Sequence, residues 1–288
     1  MKTAVVTDSN SGISPKEAKE RGIFVLSMPV IIDGNIRFEG MDLEEEEFYA
    51  SLKGGKNIST SQPSPGDVMD LWDRILKMGY DQIIHIPMSS GLSNSCETAL
   101  SLAEDYDGRV AVADNHRISV TMRISVLEAK EMADQGLSAS EIKDDLDARG
   151  YHSSIYLAVD TLEYLKKGGR VTPAAAALGT VLNIKPILSI QGGKLDAFAK
   201  FRGMKKCRAR MIEAVLHDYS TRFPEADISR VRVGAAGAGL TAAEAEEWRK
   251  AVADAFPGTD VYYDPLSFSV GTHTGPGAYG IGISILKP

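Results

Sequence analysis

Asp81-Gln-Ile-Ile-His-Ile-Pro-Met-Ser-Ser-Gly-Leu-Ser-Asn-Ser95 reads as an apolar strand that runs into a hydroxyl- and glycine-rich bend and then opens a helix. Beyond the bend, Cys96, Ala99, Leu100 and Ala103 fall at i, i+3, i+4 and i+7, the spacing of an apolar helical face. Asn94, with Glu97 three residues later, predicts the N-cap and a capping box. The first turn of a helix leaves backbone N–H groups unpaired and carries the positive end of the dipole, so a small anionic head group suits this bend. Ser89, Ser90 and Ser93 would add hydroxyls to those donors. The same residues equally suit a plain strand-to-helix turn that uses Ser and Gly for their backbone habits.

Working outward, strands alternate with helices. Lys2–Val6, followed by Thr7-Asp-Ser-Asn-Ser-Gly, predicts a strand, a polar loop and a helix opening near Pro15. Ile23–Leu26 and Val30–Ile32 are strand-like, and Asp33-Gly34-Asn35 is a hairpin-type turn into Ile36–Phe38. The acidic run Glu44–Glu47 reads as the solvated face of a helix that buries Phe48 and Leu52. Residues 58–67 form a predicted loop with four hydroxyls and two prolines, in which Ser64 or Asp67 caps the helix carrying Val68, Leu71, Trp72, Ile75 and Leu76. A strand at Arg109–Ala113 ends in Asp114-Asn115, and helices follow over about 118–135 and 140–149. Strand–helix alternation implies a parallel sheet whose ligands sit at the strands' carboxyl ends, where Asp8-Ser9, Ser89-Ser90 and Asp114 all lie.

A domain boundary is expected within about ten residues of 152, giving a parallel-sheet α/β domain over 1–152 and a mixed-sheet α/β domain over 153–288. The second half predicts a strand at Ser153–Val159, a short helix at Thr161–Lys167 and a small-residue helix at Ala174–Leu178. A hairpin spans Pro186–Ile190 and Leu195–Phe201, and a long helix runs over Met204–Phe223. A strand from Val231, a helix over Thr241–Phe256, and strands at Asp260–Tyr263 and Gly280–Leu286 complete the chain.

The 288 residues suffice for two domains that each bury a core, and 43% hydrophobic with 25% charged residues describes a soluble globular protein. A net charge of −7 argues against a general nucleic-acid or anionic-membrane surface. No run of about 18 apolar residues and no secretory leader is evident, so a cytoplasmic protein without stable membrane insertion is expected. Cys96 and Cys207 are isolated, and His85, His116, His152, His217 and His273 lack metal-ligand spacing, so no metal site is expected. Gly275-x-Gly277-x-x-Gly280 matches a dinucleotide pattern but precedes a strand, and Gly237-x-Gly239-x-x-Ala242 is explained by a Thr241–Glu244 capping box. No G-x-S-x-G elbow occurs. His273, in the hydroxyl-rich run Gly271-Thr-His-Thr-Gly-Pro-Gly, is read as a loop histidine that serves a ligand or holds loop backbone. Arg170, Lys200, Arg202, Lys205 and Lys206 concentrate positive charge that suits a phosphate or an acidic partner.

Taken together, Thr7-Asp-Ser, Ser59-Thr-Ser-Gln-Pro-Ser, Ser89-Ser-Gly-Leu-Ser, Leu165-Lys-Lys-Gly-Gly-Arg, Ile184-Lys-Pro-Ile-Leu and His273-Thr-Gly-Pro-Gly resemble the DegV family, in this order along the whole chain. These are fatty-acid-binding proteins that include the binding subunits of bacterial fatty acid kinase. The resemblance implies a three-layer α/β/α parallel-sheet domain and a two-layer α/β domain with a mixed sheet. It implies a long-chain fatty acid whose tail fills an apolar tunnel, with no other cofactor and no catalytic residue. The carboxylate contacts carry over to Thr60, Ser61, Ser93 and His273, supported by Ser90, Gly91 and Thr274. An ATP-dependent kinase partner would phosphorylate the bound carboxylate, with Arg170, Lys200, Arg202 and Lys205 as partner or phosphate contacts. The other reading is an autonomous small-molecule hydrolase using Ser93 and His273.

Overall fold

The computed structural model describes residues 1–177 and 184–287. Strand β1 (Thr3–Asp8) is buried along its whole length. Because successive strand residues point to opposite faces, Ala4 and Val6 enter one core while Val5 enters another. A strand buried on both faces needs helices above and below it, which is the three-layer arrangement found. After helix α1 (Pro15–Arg21), β2 (Ile23–Leu26) pairs parallel with β1 on one side. The parallel sheet has the order β2-β1-β6-β7, with β6 (Gln82–Ile86) and β7 (Val110–Val112).

Between β2 and β6 the chain builds a separate three-stranded antiparallel sheet from β3 (Pro29–Ile32), β4 (Asn35–Phe38) and β5 (Ile58–Thr60), in the order β4-β3-β5. Asp33 and Gly34 adopt φ of 49° and 85°, the two left-handed residues that a tight hairpin turn requires. Strand β5 corrects the expectation of a loop from residue 58: Ile58, Ser59 and Thr60 pair with Ile32, Ile31 and Val30. The acidic helix α2 (Glu45–Lys53) buries Phe48 and Leu52, as expected of a solvated face with an apolar back. Helix α3 (Pro65–Lys77) buries Val68, Leu71, Trp72 and Ile75, with Ser64 accepting the Asp67 N–H as its N-cap.

Helix α4 (Ser95–Ala103) follows the bend after β6. Its cap differs from expectation, since Asn94 has helical dihedrals and makes no capping bond, whereas the Ser93 hydroxyl accepts the Ser95 N–H at 3.2 Å. Its buried face is Cys96 and Ala99, and Leu100 is 40% exposed. Helices α5 (Ser119–Asp134) and α6 (Ala139–Ala148) cover the other face of the parallel sheet, α6 opening with a Ser138–Glu141 capping box.

From β8 (Ser153–Ala158) the chain enters a six-stranded mixed sheet of order β10-β9-β8-β13-β11-β12. Helices α7 (Glu163–Gly168) and α8 (Pro173–Ala176) precede the hairpin of β9 (Ile184–Ile190) and β10 (Asp196–Arg202). The expected end of α8 at Leu178 lies outside the described residues. Helix α9 (Met204–Arg222), β11 (Val231–Gly237), α10 (Ala242–Ala255) and β12 (Val261–Pro265) follow, α10 being started by the Thr241–Glu244 capping box.

Helix α11 (Phe268–Thr274) precedes β13 (Tyr279–Ile285) and stands where a loop was expected. Phe268 stacks on Phe48 with ring centroids 4.6 Å apart, and a side chain at Gly271 would press on Phe48 at 3.1 Å. Tertiary packing thus holds a helix that its glycines disfavour locally. One face of the large sheet buries α9 and α10 around Cys207, Met211, Val215 and Trp248. The opposite face, with Ile155, Leu157, Leu188, Ile190 and Ala236, joins Met28, Met88 and Ile118 in a second core. That core encloses the cavity described next.

Candidate functional site

The cavity holds about 830 Å³ free of protein atoms, its open mouth included. Its walls are mostly apolar, among them Met28, Met88, Ile155, Leu157, Ala236 and Leu266. Gly280 of β13 pairs with Leu157 on one side and Ala236 on the other. A Cβ there would meet Ala236 Cβ at 3.4 Å and Leu157 Cδ1 at 3.7 Å, ordinary contact distances, so a side chain can be added at this lining position without a clash at its first atom.

Polar groups gather at one end. Thr60, Ser61, Gln62, Ser93, Arg170, His273 and Thr274 line it, and Gln62, Leu92, Ser93 and Arg170 also line an adjoining outer depression. These shared residues mark the mouth. Arg170 is the one formally charged side chain among the described lining residues, and no carboxylate accompanies it.

Thr60 and His273, 213 residues apart, meet with Oγ1 and Nε2 separated by 2.8 Å. Thr60 is delivered by the end of β5 and His273 by the last turn of α11, which packs on β3 and β5. Burial, with a smaller contribution from the nearby Arg170 guanidinium, lowers the His273 pKa to about 4. The ring is therefore neutral at pH 7 and can donate from one nitrogen and accept at the other. Its place is carved out by Gly168, where a Cβ would lie 2.1 Å from Nδ1.

Arg170 is anchored through the α7–β10 connection: its backbone oxygen accepts the Leu195 N–H at 3.0 Å, and its guanidinium donates to the Leu92 and Gly168 oxygens. The bend at residues 89–91 is locked rather than open. Ser89 is fully buried and donates to Gly192 O at 2.7 Å, and it accepts the Gly91 N–H. The Ser90 N–H goes to Asp114, and a Cβ at Gly91 would lie 2.7 Å from Gly193 Cα. Ser90 and Gly91 thus line the outer depression, not the cavity, and most of the amides expected to seat an anion are already engaged.

The structure divides the expected basic cluster. Arg170 stands at the mouth, whereas Lys200 and Arg202 lie on the edge strand β10 and Lys205 and Lys206 on the first turn of α9, all exposed. Lys200 is five residues beyond Leu195, about 16 Å along the strand. Sequence reasoning also missed Ser119 and Ser269, which line the cavity. Ser119 has a φ of 53°, a strained backbone conformation for a serine that no sequence signal announces.

Among the described residues no group of three or more His, Cys, Asp or Glu is placed to hold a metal, and no helix is long and apolar enough to cross a membrane. Among the described residues Ser93 makes no hydrogen bond to His273: its hydroxyl accepts the Ser95 amide, and the imidazole Nε2 is engaged by Thr60.

Known proteins of the same build bear on this site. A DegV-domain protein of Listeria innocua is 35% identical over 290 residues, covering 99% of each chain. A DegV-family protein of Thermus thermophilus, whose structure is described as showing fatty acid binding, superposes with a TM-score of 0.88 at 29% identity over 99% of this chain and all of that one. DegV of Bacillus subtilis, described as a fatty acid binding protein, gives a TM-score of 0.85 at 28% identity over 99% of both. The DegV family model matches residues 2–286. The chain belongs to the DegV family.

Proposed function

We propose that this chain binds a long-chain fatty acid, with the acyl tail in the apolar body of the cavity and the carboxylate held at its mouth by Thr60, Ser61, Ser93 and His273. The observation that carries the reading is a cavity with apolar walls whose polar groups, one cation among them, all but two collect at a single end. Tail burial contributes roughly 0.8 kcal/mol per methylene, so a 16-carbon acid gains on the order of 12 kcal/mol before ordering costs. A carboxylate left without partners would cancel much of that gain, and a neutral histidine, hydroxyls and Arg170 supply them. The fatty-acid-binding relatives of the same fold support the same ligand class.

In this reading the chain performs no chemistry by itself. An ATP-dependent kinase partner transfers the γ-phosphoryl group to a carboxylate oxygen, the bond to ADP breaks, and an acyl phosphate forms. Arg170 contacts the phosphoryl group at the mouth, and Lys200, Arg202 and Lys205 form a separate face for the partner. The parallel-sheet part with the head-group loops, up to about residue 152, and the mixed-sheet part beyond it are two domains, with the carboxylate held at their junction. The hydrolase alternative is weakened by the partners of Ser93 and His273, which are not each other. Mass spectrometry of an organic extract of the purified protein is expected to find long-chain fatty acid. Its absence, together with failure to take up added palmitate or oleate, would overturn the proposal.

A further inference from the structure

Four hydroxyl side chains belong to α11 and its N-cap, and three are satisfied. Ser267 donates to Asn10 Oδ1 at 2.7 Å and accepts the Val270 N–H. Thr272 bonds back one turn to Phe268 O at 2.9 Å, and Thr274 reaches Gly275 O at 3.4 Å. Ser269 sits on the cavity wall, 5% exposed, and makes no side-chain hydrogen bond among the described residues. The back-bond that Thr272 makes is closed to Ser269, which stands in the first turn, so that the residues three and four before it, Leu266 and Pro265, precede the helix. Its hydroxyl is on the cavity wall with its hydrogen-bonding capacity unused by the protein, where a ligand oxygen can take it up.

Its position says which part of a ligand it would meet. Ser269 precedes His273 by four residues, one turn along the same helix face, or about 6 Å. Leu266 and Val270, beside it in the chain, also line the cavity, as do Met28 and Met88, and none of these side chains offers a strong acceptor or donor. We propose that the cavity selects fatty acids bearing a hydroxyl or keto oxygen a few carbons from the carboxylate, and that Ser269 recognises this oxygen. The inference rests on the head group lying at His273, as proposed above.

The test is a binding series with the full chain: palmitate and its monohydroxylated isomers at carbons 2 to 6, against the parent, Ser269→Ala and Ser269→Thr. One isomer should bind the parent roughly threefold to tenfold tighter than palmitate, the gain of one neutral hydrogen bond. Ser269→Ala should abolish that preference while still binding palmitate, and Ser269→Thr should keep it. If palmitate binds and no isomer is preferred, or the preference survives Ser269→Ala, the inference fails and the fatty-acid reading stands. If neither palmitate nor any isomer binds, both fail together.

Discussion

At the mouth of the cavity, Thr60 and His273 come from 213 residues apart to meet at 2.8 Å, whereas in the body Ile155, Leu157, Ile190 and Ala236 are inward positions of strands in one sheet. The body follows from strand periodicity and needs only apolar residues of suitable size. The mouth depends on backbone approaches that tolerate no side chain: Gly168 under the His273 ring and Gly91 against Gly193. On the proposed reading, affinity would reside in a region tolerant of substitution, and head-group placement in one that is not.

That contrast can be broken first in the body. Gly280→Phe projects a ring from β13 into the space over the sheet, and long-chain fatty acid binding should fall more than about 100-fold, or 3 kcal/mol, by displacement titration while the fold persists. Unchanged palmitate affinity would show that the tail lies elsewhere.

At the mouth, protonation offers the next lever. The His273 pKa is near 4 in the folded chain against an ordinary value of 6.5, so the unfolded state takes up the proton first on acidification. Stability from this group is complete above about pH 6.5 and is lost as the pH falls toward 4, by on the order of 3 kcal/mol. Burial moves Asp8, Glu39 and Asp264 in the opposite sense, up to about 6, 7 and 6. The comparison is therefore parent against His273→Gln in denaturant unfolding across that window. Parallel curves would mean that the imidazole is not buried as described.

Gly168→Ala places a methyl group where the His273 ring stands and should cost about 2 kcal/mol of stability, with weakened head-group retention. An unperturbed His273 NMR resonance in that variant would contradict the close approach. The smallest effects belong to single hydroxyls: Thr60→Ala and Ser93→Ala should each weaken fatty acid binding by about 1 to 2 kcal/mol, without the loss of tail binding expected of Gly280→Phe. Losses as large as that variant's would erase the distinction between the two regions.

The same contrast separates what the sequence showed from what it concealed. The strand at Lys2–Val6, the apolar face of α3 and the Asp33-Gly34 turn each follow from local rules, and the structure contains all three. Thr60, Ser93 and His273 are grouped by the family resemblance alone and by no local rule, since the meeting of Thr60 and His273 depends on α11 packing against β3 and β5. Helix α11 itself was hidden because Gly271 and Gly275 read as loop, while its stability comes from Phe48 and Phe268. The helix after the bend was read correctly and its cap was not, because Ser93 and Asn94 are both ordinary capping residues and only the backbone dihedrals decide between them. Positive charge read as one cluster is two, because the length of β10 separates Arg170 from Arg202.

A crystal structure of the chain with bound palmitate tests the central claim most directly. The carboxylate should lie about 3 Å from Thr60 Oγ1 and Ser93 Oγ, with the tail passing over Gly280 between Leu157 and Ala236. A head group seated away from Thr60 and Ser93, or a cavity left empty at saturating ligand, would contradict it.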